Sequence, residues 1–245
     1  MNGPPTSDAD PRKPRGVVVP RGRNPPSRTE RTAAVARTPA QTVDALLERH
    51  GRTYAQEAGI ELRDTPAALY QLLVLANLLS ARIGAPAAVA SARALFDAGF
   101  RTPEAMRNSS WRQRVAALGR GGYKRYDERT STMLGNGADL ILDTWGGDLR
   151  ALRDASDDAS GILRRLQDFP GIGPTGASIF AREAQGVWPM LAPHVDKKAL
   201  AGARRVGLPE DAAALADLVD PEQLPVLASA LVRVALDRTK GDPLG

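Results

Sequence analysis

Apolar residues recur at helical spacing through most of this chain, and the period-two alternation of strands is nearly absent. From Thr65 onward, Leu69, Leu72, Leu73, Ala76 and Leu79 follow helical spacing, while Val74, Leu75 and Leu78 fill much of the opposite side. A helix apolar on most faces belongs at the centre of a fold. Start signals stand at Thr65-Pro66, Pro86, Thr102-Pro103 and Ser109-Ser110. Proline suits the first helical turn, and Ser or Thr ahead of it caps free amides. The helix from Pro86 turns Val89, Leu95 and Phe96 inward and stops at Gly99. Thr38 to about Ala58 reads as one helix or a broken pair, with Val43, Leu46 and Leu47 on one face. A long helix runs from about Arg125 into the 140s and ends near Gly146-Gly147. Further helices are predicted near 158–168, 174–185, 195–206 and 222–238. The predicted fold class is all-α, without internal repeats.

The first 38 residues differ from the rest. They carry Arg12, Lys13, Arg15, Arg21, Arg23, Arg28, Arg31 and Arg37 against Asp8, Asp10 and Glu30. That imbalance equals the whole formal charge of +5, so the remaining chain is neutral. Being proline-rich and without apolar periodicity, residues 1–38 are expected to be a disordered basic tail. Such a tail either adds nonspecific attraction to phosphates or is a solvated leader. The 42% hydrophobic content suffices for a core. No apolar run approaches membrane-spanning length, and Val17-Val18-Val19 is too short for a signal-peptide core. A cytoplasmic protein with no membrane partner is expected, and the Ala/Arg/Gly/Pro richness suggests a high-GC bacterial source. Cysteine is absent, which excludes disulfides and any cysteine-ligated iron–sulfur cluster. With only two histidines, a zinc site is not expected either.

The richest motif is Leu166-Gln167-Asp168-Phe169-Pro170-Gly171-Ile172-Gly173-Pro174-Thr175-Gly176-Ala177. It reads as two short helices joined by a Pro-Gly-x-Gly hairpin. A loop containing Gly186, Pro189 and Pro193 follows, and then Val195-Asp196. Glycines allow a tight turn and a close approach by a phosphate. The second helix begins at the hairpin, where free amides and the positive end of its dipole favour an anion. Gly171, Ile172, Gly173, Thr175 and Gly176 are therefore candidate DNA-phosphate ligands. The alternative is a purely structural corner. Contacts of this kind position a duplex without reading its sequence.

This segment resembles the helix-hairpin-helix and Gly/Pro-Asp (HhH-GPD) signature of the endonuclease III-like DNA glycosylase superfamily. Leu78-Leu79-Ser80-Ala81-Arg82 resembles the family's Leu-Leu-Ser-Ala-Gln helix end. Gly122-Tyr123-Lys124, followed by Arg125-Tyr126-Asp127, resembles the loop and helix start that precede the hairpin. Order and spacing agree over roughly residues 65–208. The resemblance implies two helical subdomains with a DNA cleft between them. One would comprise about 65–186; the other would join about 39–64 to 187–240. It also implies base-excision repair on double-stranded DNA containing a lesion or mismatch, by a monomer in the cytoplasm at the bacterial nucleoid. A monovalent cation at the hairpin carbonyls is a further expectation; no other cofactor is expected.

Asp196 is the leading catalytic candidate. A carboxylate beside C1′ stabilises the oxocarbenium-like sugar or activates water. Taken by itself, it is also an ordinary helix N-cap. Thr175 stands where the family's lyases carry their lysine. Threonine forms no Schiff base with the sugar, so the expected reaction is hydrolytic and monofunctional, without efficient strand cleavage. The competing reading is a catalytically inactive helix-hairpin-helix DNA-binding protein, and a more distant one is a partner-binding scaffold. Lys197 is a lesser nucleophile candidate, and Lys198 a phosphate contact. Arg82 is placed to fill the space left by a flipped base, or is a surface residue. Tyr123, Lys124, Arg125 and Tyr126 form an aromatic–basic cluster suited to lining the cleft, unless Tyr126 is core and the cations are solvated. Trp111, Trp145 and Trp188 are read as packing residues, and His194 as a hydrogen-bonded loop residue with general-base chemistry as a minor role.

Overall fold

In a computed structural model, residues 37–124, 127–239 and 241–244 are described. The tail up to residue 36 and the pair Arg125 and Tyr126 lie outside the described residues. From Arg37 on, the chain forms one compact unit.

Among the described residues every regular element is helical. Thr38 to Ala58 is the broken pair: α1 (Pro39–His50) and α2 (Tyr54–Glu57). Each begins with a reciprocal capping box, Thr38 with Gln41 and Thr53 with Gln56, which fixes two separate starts. Next come α3 (Pro66–Ser80), α4 (Ala85–Asp97), α5 (Pro103–Asn108), α6 (Trp111–Arg120) and α7 (Asp127–Trp145). Two short helices, α8 (Leu149–Asp154) and α12 (Ala212–Ala216), were not legible in the apolar pattern. Each starts at an aspartate cap, Asp148 or Asp211, and is too short to show a period. The hairpin helices are α9 (Ala159–Leu166) and α10 (Pro174–Ala184). They are followed by α11 (Lys197–Arg205) and α13 (Leu224–Leu236).

The centre is α3, buried continuously from Ala68 to Leu78, as its two-sided apolar pattern requires. It packs against α4, α8 and α10. Helix α6 bridges α4 and α7. At the other end α13 packs against α1, α10 and α11. Gly202 of α11 faces the α13 backbone so closely that a Cβ there would stand 1.9 Å from the Leu231 carbonyl oxygen. Helix α10 therefore touches both α3 and α13.

A buried carboxylate secures that junction. Glu183 of α10 is 1% exposed. Its Oε1 accepts from Tyr54 N (3.1 Å) and Ser229 Oγ (2.9 Å), and its Oε2 accepts from Ala55 N (2.8 Å). One side chain thus satisfies the free amides at the start of α2 and binds α13. A second tie joins loops around Trp188, which is buried against Phe180 with ring centroids 5.5 Å apart. Trp188 Nε1 donates to Asp64 Oδ1 (2.8 Å), and Arg153 of α8 pairs with Asp64 Oδ2 (2.8 Å). Burial alone would raise the Asp64 carboxyl, but the hydrogen bonds from Trp188 and Arg153 outweigh it and hold it below the usual range.

Replacing Glu183 by alanine leaves three buried donors unpaired. The expected loss is roughly 3–5 kcal/mol, read as a lower urea midpoint at an unchanged slope. A loss below about 1 kcal/mol would show that the carboxylate does not hold the junction.

Candidate DNA interface and catalytic face

The hairpin is shaped from beneath. Phe169 and Ile172 are buried at 2% and 4% exposure, and Ile172 N donates to the Phe169 carbonyl at 3.0 Å. Ile172 therefore shapes the turn: its amide, expected to face a phosphate, is already used. Gly171 adopts φ +85°, a region open mainly to glycine. A Cβ there would lie 2.4 Å from Asn77 Nδ2 and 2.9 Å from Met133 Sδ. Asn77, near the end of α3, donates to the Pro170 carbonyl at 2.9 Å and so clamps the turn. The carbonyls of Phe169, Pro170 and Gly173 accept from Ile172, Asn77 and Ala177 respectively.

Helix α10 begins at Gly173 without a side-chain cap, and Pro174 has no N–H to satisfy. Gly171, Gly173 and Thr175 are exposed, and Gly176 is buried. The amides of these four residues have no partner among the described residues. Together they leave an open, positively polarised helix start.

Farther along α10, the candidate chemistry collects on one face. Thr175, Ser178 and Arg182 are three and then four residues apart, so their side chains share a stripe. Ser178 Oγ lies 2.8 Å from His194 Nε2. Arg182 is ion-paired with Asp196 Oδ2, the two side chains being 3% and 11% exposed. Asp196 is also the N-cap of α11: its Oδ1 accepts from Lys198 N and Ala199 N, both at 2.9 Å. The intervening loop is fastened by Gln185, which accepts from His194 N (2.8 Å) and donates to the His194 carbonyl (3.0 Å). The N-cap reading of Asp196 is thus a structural fact, and the carboxylate is also fixed beside the stripe that Thr175 begins. Three donors hold it: the Arg182 guanidinium and the amides of Lys198 and Ala199. Arg182 in turn stacks over the Tyr54 ring at 5.7 Å.

Other candidates are more dispersed. Tyr123 does not line a cleft. It is 1% exposed, and its hydroxyl bonds Thr130 Oγ1 at 2.9 Å, so it belongs to the core. Lys124 is exposed, and Arg125 is outside the described residues. Lys197 and Lys198 are exposed in the first turn of α11, where a helix dipole disfavours cations. Trp111 is 39% exposed and donates to the Glu128 carbonyl at 3.3 Å. Trp145 is half-buried beneath Arg165.

Arg82 is exposed just beyond α3, on the rim of a cleft of about 960 Å³. Arg52, Arg93, Arg233 and Arg238 join it there, against Glu57 and Asp237, beside an apolar wall of Ile83, Pro86, Val89 and Leu236. The guanidinium groups of Arg82, Arg93 and Arg238 have no partner among the described residues. Arg233 turns inward, 2.8 Å from Glu57 and 4.2 Å from the Tyr54 ring centroid. This concentration of positive charge escaped the sequence pattern because its arginines come from separate segments.

Burial, the largest influence, lowers the His194 imidazole below its ordinary 6.5; Asp196 opposes the shift and Arg182 assists it. The unfolded chain then binds the proton more readily. The associated stability is complete above about pH 6.5 and is lost as pH falls through the lower folded value. His50 shifts in the same direction, chiefly by burial. The urea midpoint should fall between about pH 7 and about pH 5, and His194→Gln should remove part of that slope. An unchanged slope in the variant would contradict the assignment.

No protein-family profile matches the sequence, and no curated protein matches it. Solved structures similar to the chain include two complexes with DNA. One is a trapped endonuclease III–DNA covalent intermediate, an estranged-adenine complex, at 15% identity and TM-score 0.48 over 80% of this chain and 85% of that one. The other is a non-covalent endonuclease III–DNA complex, at 16% identity and TM-score 0.49 over the same shares, 80% and 85%. At that degree of likeness, any functional assignment has to be supported by this chain's own residues.

Proposed function

We propose that this chain is a base-excision repair protein: a monofunctional, endonuclease III-like DNA glycosylase hydrolysing the N-glycosidic bond of a damaged or mismatched base. The observation that carries the reading is the layout of α10. Its uncapped start offers free amides for a phosphate, and eight residues on from Pro174, about 12 Å along the axis, Arg182 holds Asp196. A carboxylate fixed beside the sugar stabilises positive charge developing at C1′ and positions water. The hairpin grips the backbone, and Arg82 holds the opened duplex. Lys124 and Lys198 add phosphate contacts. Thr175 offers no amine, so the product is an abasic site. The protein acts as a monomer in the bacterial cytoplasm, and any monovalent ion at the hairpin is ancillary to this chemistry.

One observation favours the second reading, a binding protein without catalysis. Arg182 already neutralises much of the Asp196 charge, as expected where the pair is only a structural clasp.

Single-turnover reactions on duplexes carrying oxidised pyrimidines, uracil, alkylated purines or adenine mispairs decide between them. The glycosylase reading expects breaks only after hot alkali, at a rate at least about 10²-fold lower in Asp196→Asn. Asparagine keeps the cap, and circular dichroism checks that the variant is folded. Salt-sensitive DNA binding without excision on any duplex would favour the binding protein.

Thr175→Lys tests the register of the hairpin without knowledge of the lesion. On DNA containing a preformed abasic site, the variant should form an adduct trapped by borohydride, and the wild-type chain should not. Trapping by the wild type would point instead to Lys197 or Lys198. No trapping by the variant would mean that position 175 does not face the sugar.

A further inference from the structure

Hydrolysis at C1′ needs a group that takes a proton from water, and Asp196 is poorly placed for that task. Its Oδ1 accepts two backbone amides, and its Oδ2 holds a guanidinium that is 3% exposed. Protonating it would break a nearly buried ion pair. His194 stands two residues earlier and beside the same stripe of α10. Its backbone is pinned at both N–H and carbonyl by Gln185, and its Nε2 is 2.8 Å from Ser178 Oγ. No hydrogen bond to its Nδ1 is formed among the described residues, and the residue is half-buried. An imidazole held by its backbone and one ring nitrogen, with the other nitrogen unpartnered, has the arrangement of a general base.

We propose that His194 is the general base of the reaction, with Ser178 Oγ accepting its Nε2–H and the Nδ1 lone pair taking a proton from the attacking water. The assignment rests on the glycosylase reading. The water oxygen bonds to C1′ as the N-glycosidic bond breaks. Its electron pair leaves with the base, which then takes a proton from the imidazolium. Water alone is consumed, and Asp196 takes no part in the proton transfer. The charged groups facing His194 are Asp196, at the start of α11, and Arg182, on α10. Burial keeps the ring neutral near neutral pH, the form a base requires. Ser178 acts as a positioning residue.

The test is the single-turnover excision rate of the full chain between about pH 5 and about pH 8, on whichever duplex of that lesion panel the wild type cuts. Beside it, the His194 ring is titrated by NMR, with His50→Gln removing the second of the chain's two histidines. The wild-type rate should fall on the acid side along the His194 titration. His194→Gln should lose that limb and about 10²-fold in rate, while Ser178→Ala, slower, keeps it. A residue that merely anchored the loop would lower the rate and leave the limb in place. Should His194→Gln not fold, the wild-type comparison decides: an acid limb that departs from the ring titration overturns the proposal. A limb retained in His194→Gln overturns it while leaving the glycosylase reading intact. Absence of excision by the wild type on every duplex overturns both.

Discussion

The contact between Glu183 and the start of α2 is the constraint on which the arrangement depends. Helix α2 is only four residues long, and its first amides have no helical partners. A carboxylate from α10 satisfies two of them and, through Ser229, binds α13 as well. Three segments remote in sequence meet on one side chain. The neighbouring residue, Arg182, reaches from the same turn of α10 to Asp196. Two consecutive buried charges therefore settle how α10 sits in the protein and where the candidate catalytic carboxylate lies. Perturbing one should be felt by the other, since both also border the Tyr54 ring or its backbone.

That economy has a chemical consequence. A carboxylate bound by two amides and an arginine is rigid, which suits electrostatic stabilisation of a sugar cation. The same contacts occupy both of its oxygens. The proposed division of labour between Asp196 and His194 rests on how each group is held. Thr175, exposed at the head of the stripe, leaves that position free of covalent chemistry.

Much of the fold was legible because its punctuation is local. The all-α class, the central α3 and the hairpin pair follow from prolines, glycines and capping residues that act within a turn of their own position. What was not legible depends on distance. The α8 and α12 turns are too short for a period. Tyr123 looked like part of an exposed cluster, yet Thr130 and the core claim it. The Arg182–Asp196 pair, the Glu183 clasp and the arginine-rimmed cleft join residues far apart in the chain, and no spacing rule announces them. At Asp196 the motif suggested a functional position, whereas its partner Arg182 is brought to it only by the fold. Ile172 shows the reverse case: its motif position was plain, but the turn had already used its amide.

The central claim is that Asp196 presents a fixed negative charge to C1′ of a nucleotide held by the hairpin. Its most direct test needs no knowledge of the lesion. It is the affinity for a duplex carrying a cationic pyrrolidine abasic analogue, relative to one carrying neutral tetrahydrofuran, in the wild type and in Asp196→Asn. The account predicts a wild-type preference for the cation of about tenfold or more, abolished in the variant. Equal affinity for both duplexes in the wild type, or a preference that survives in Asp196→Asn, would contradict it.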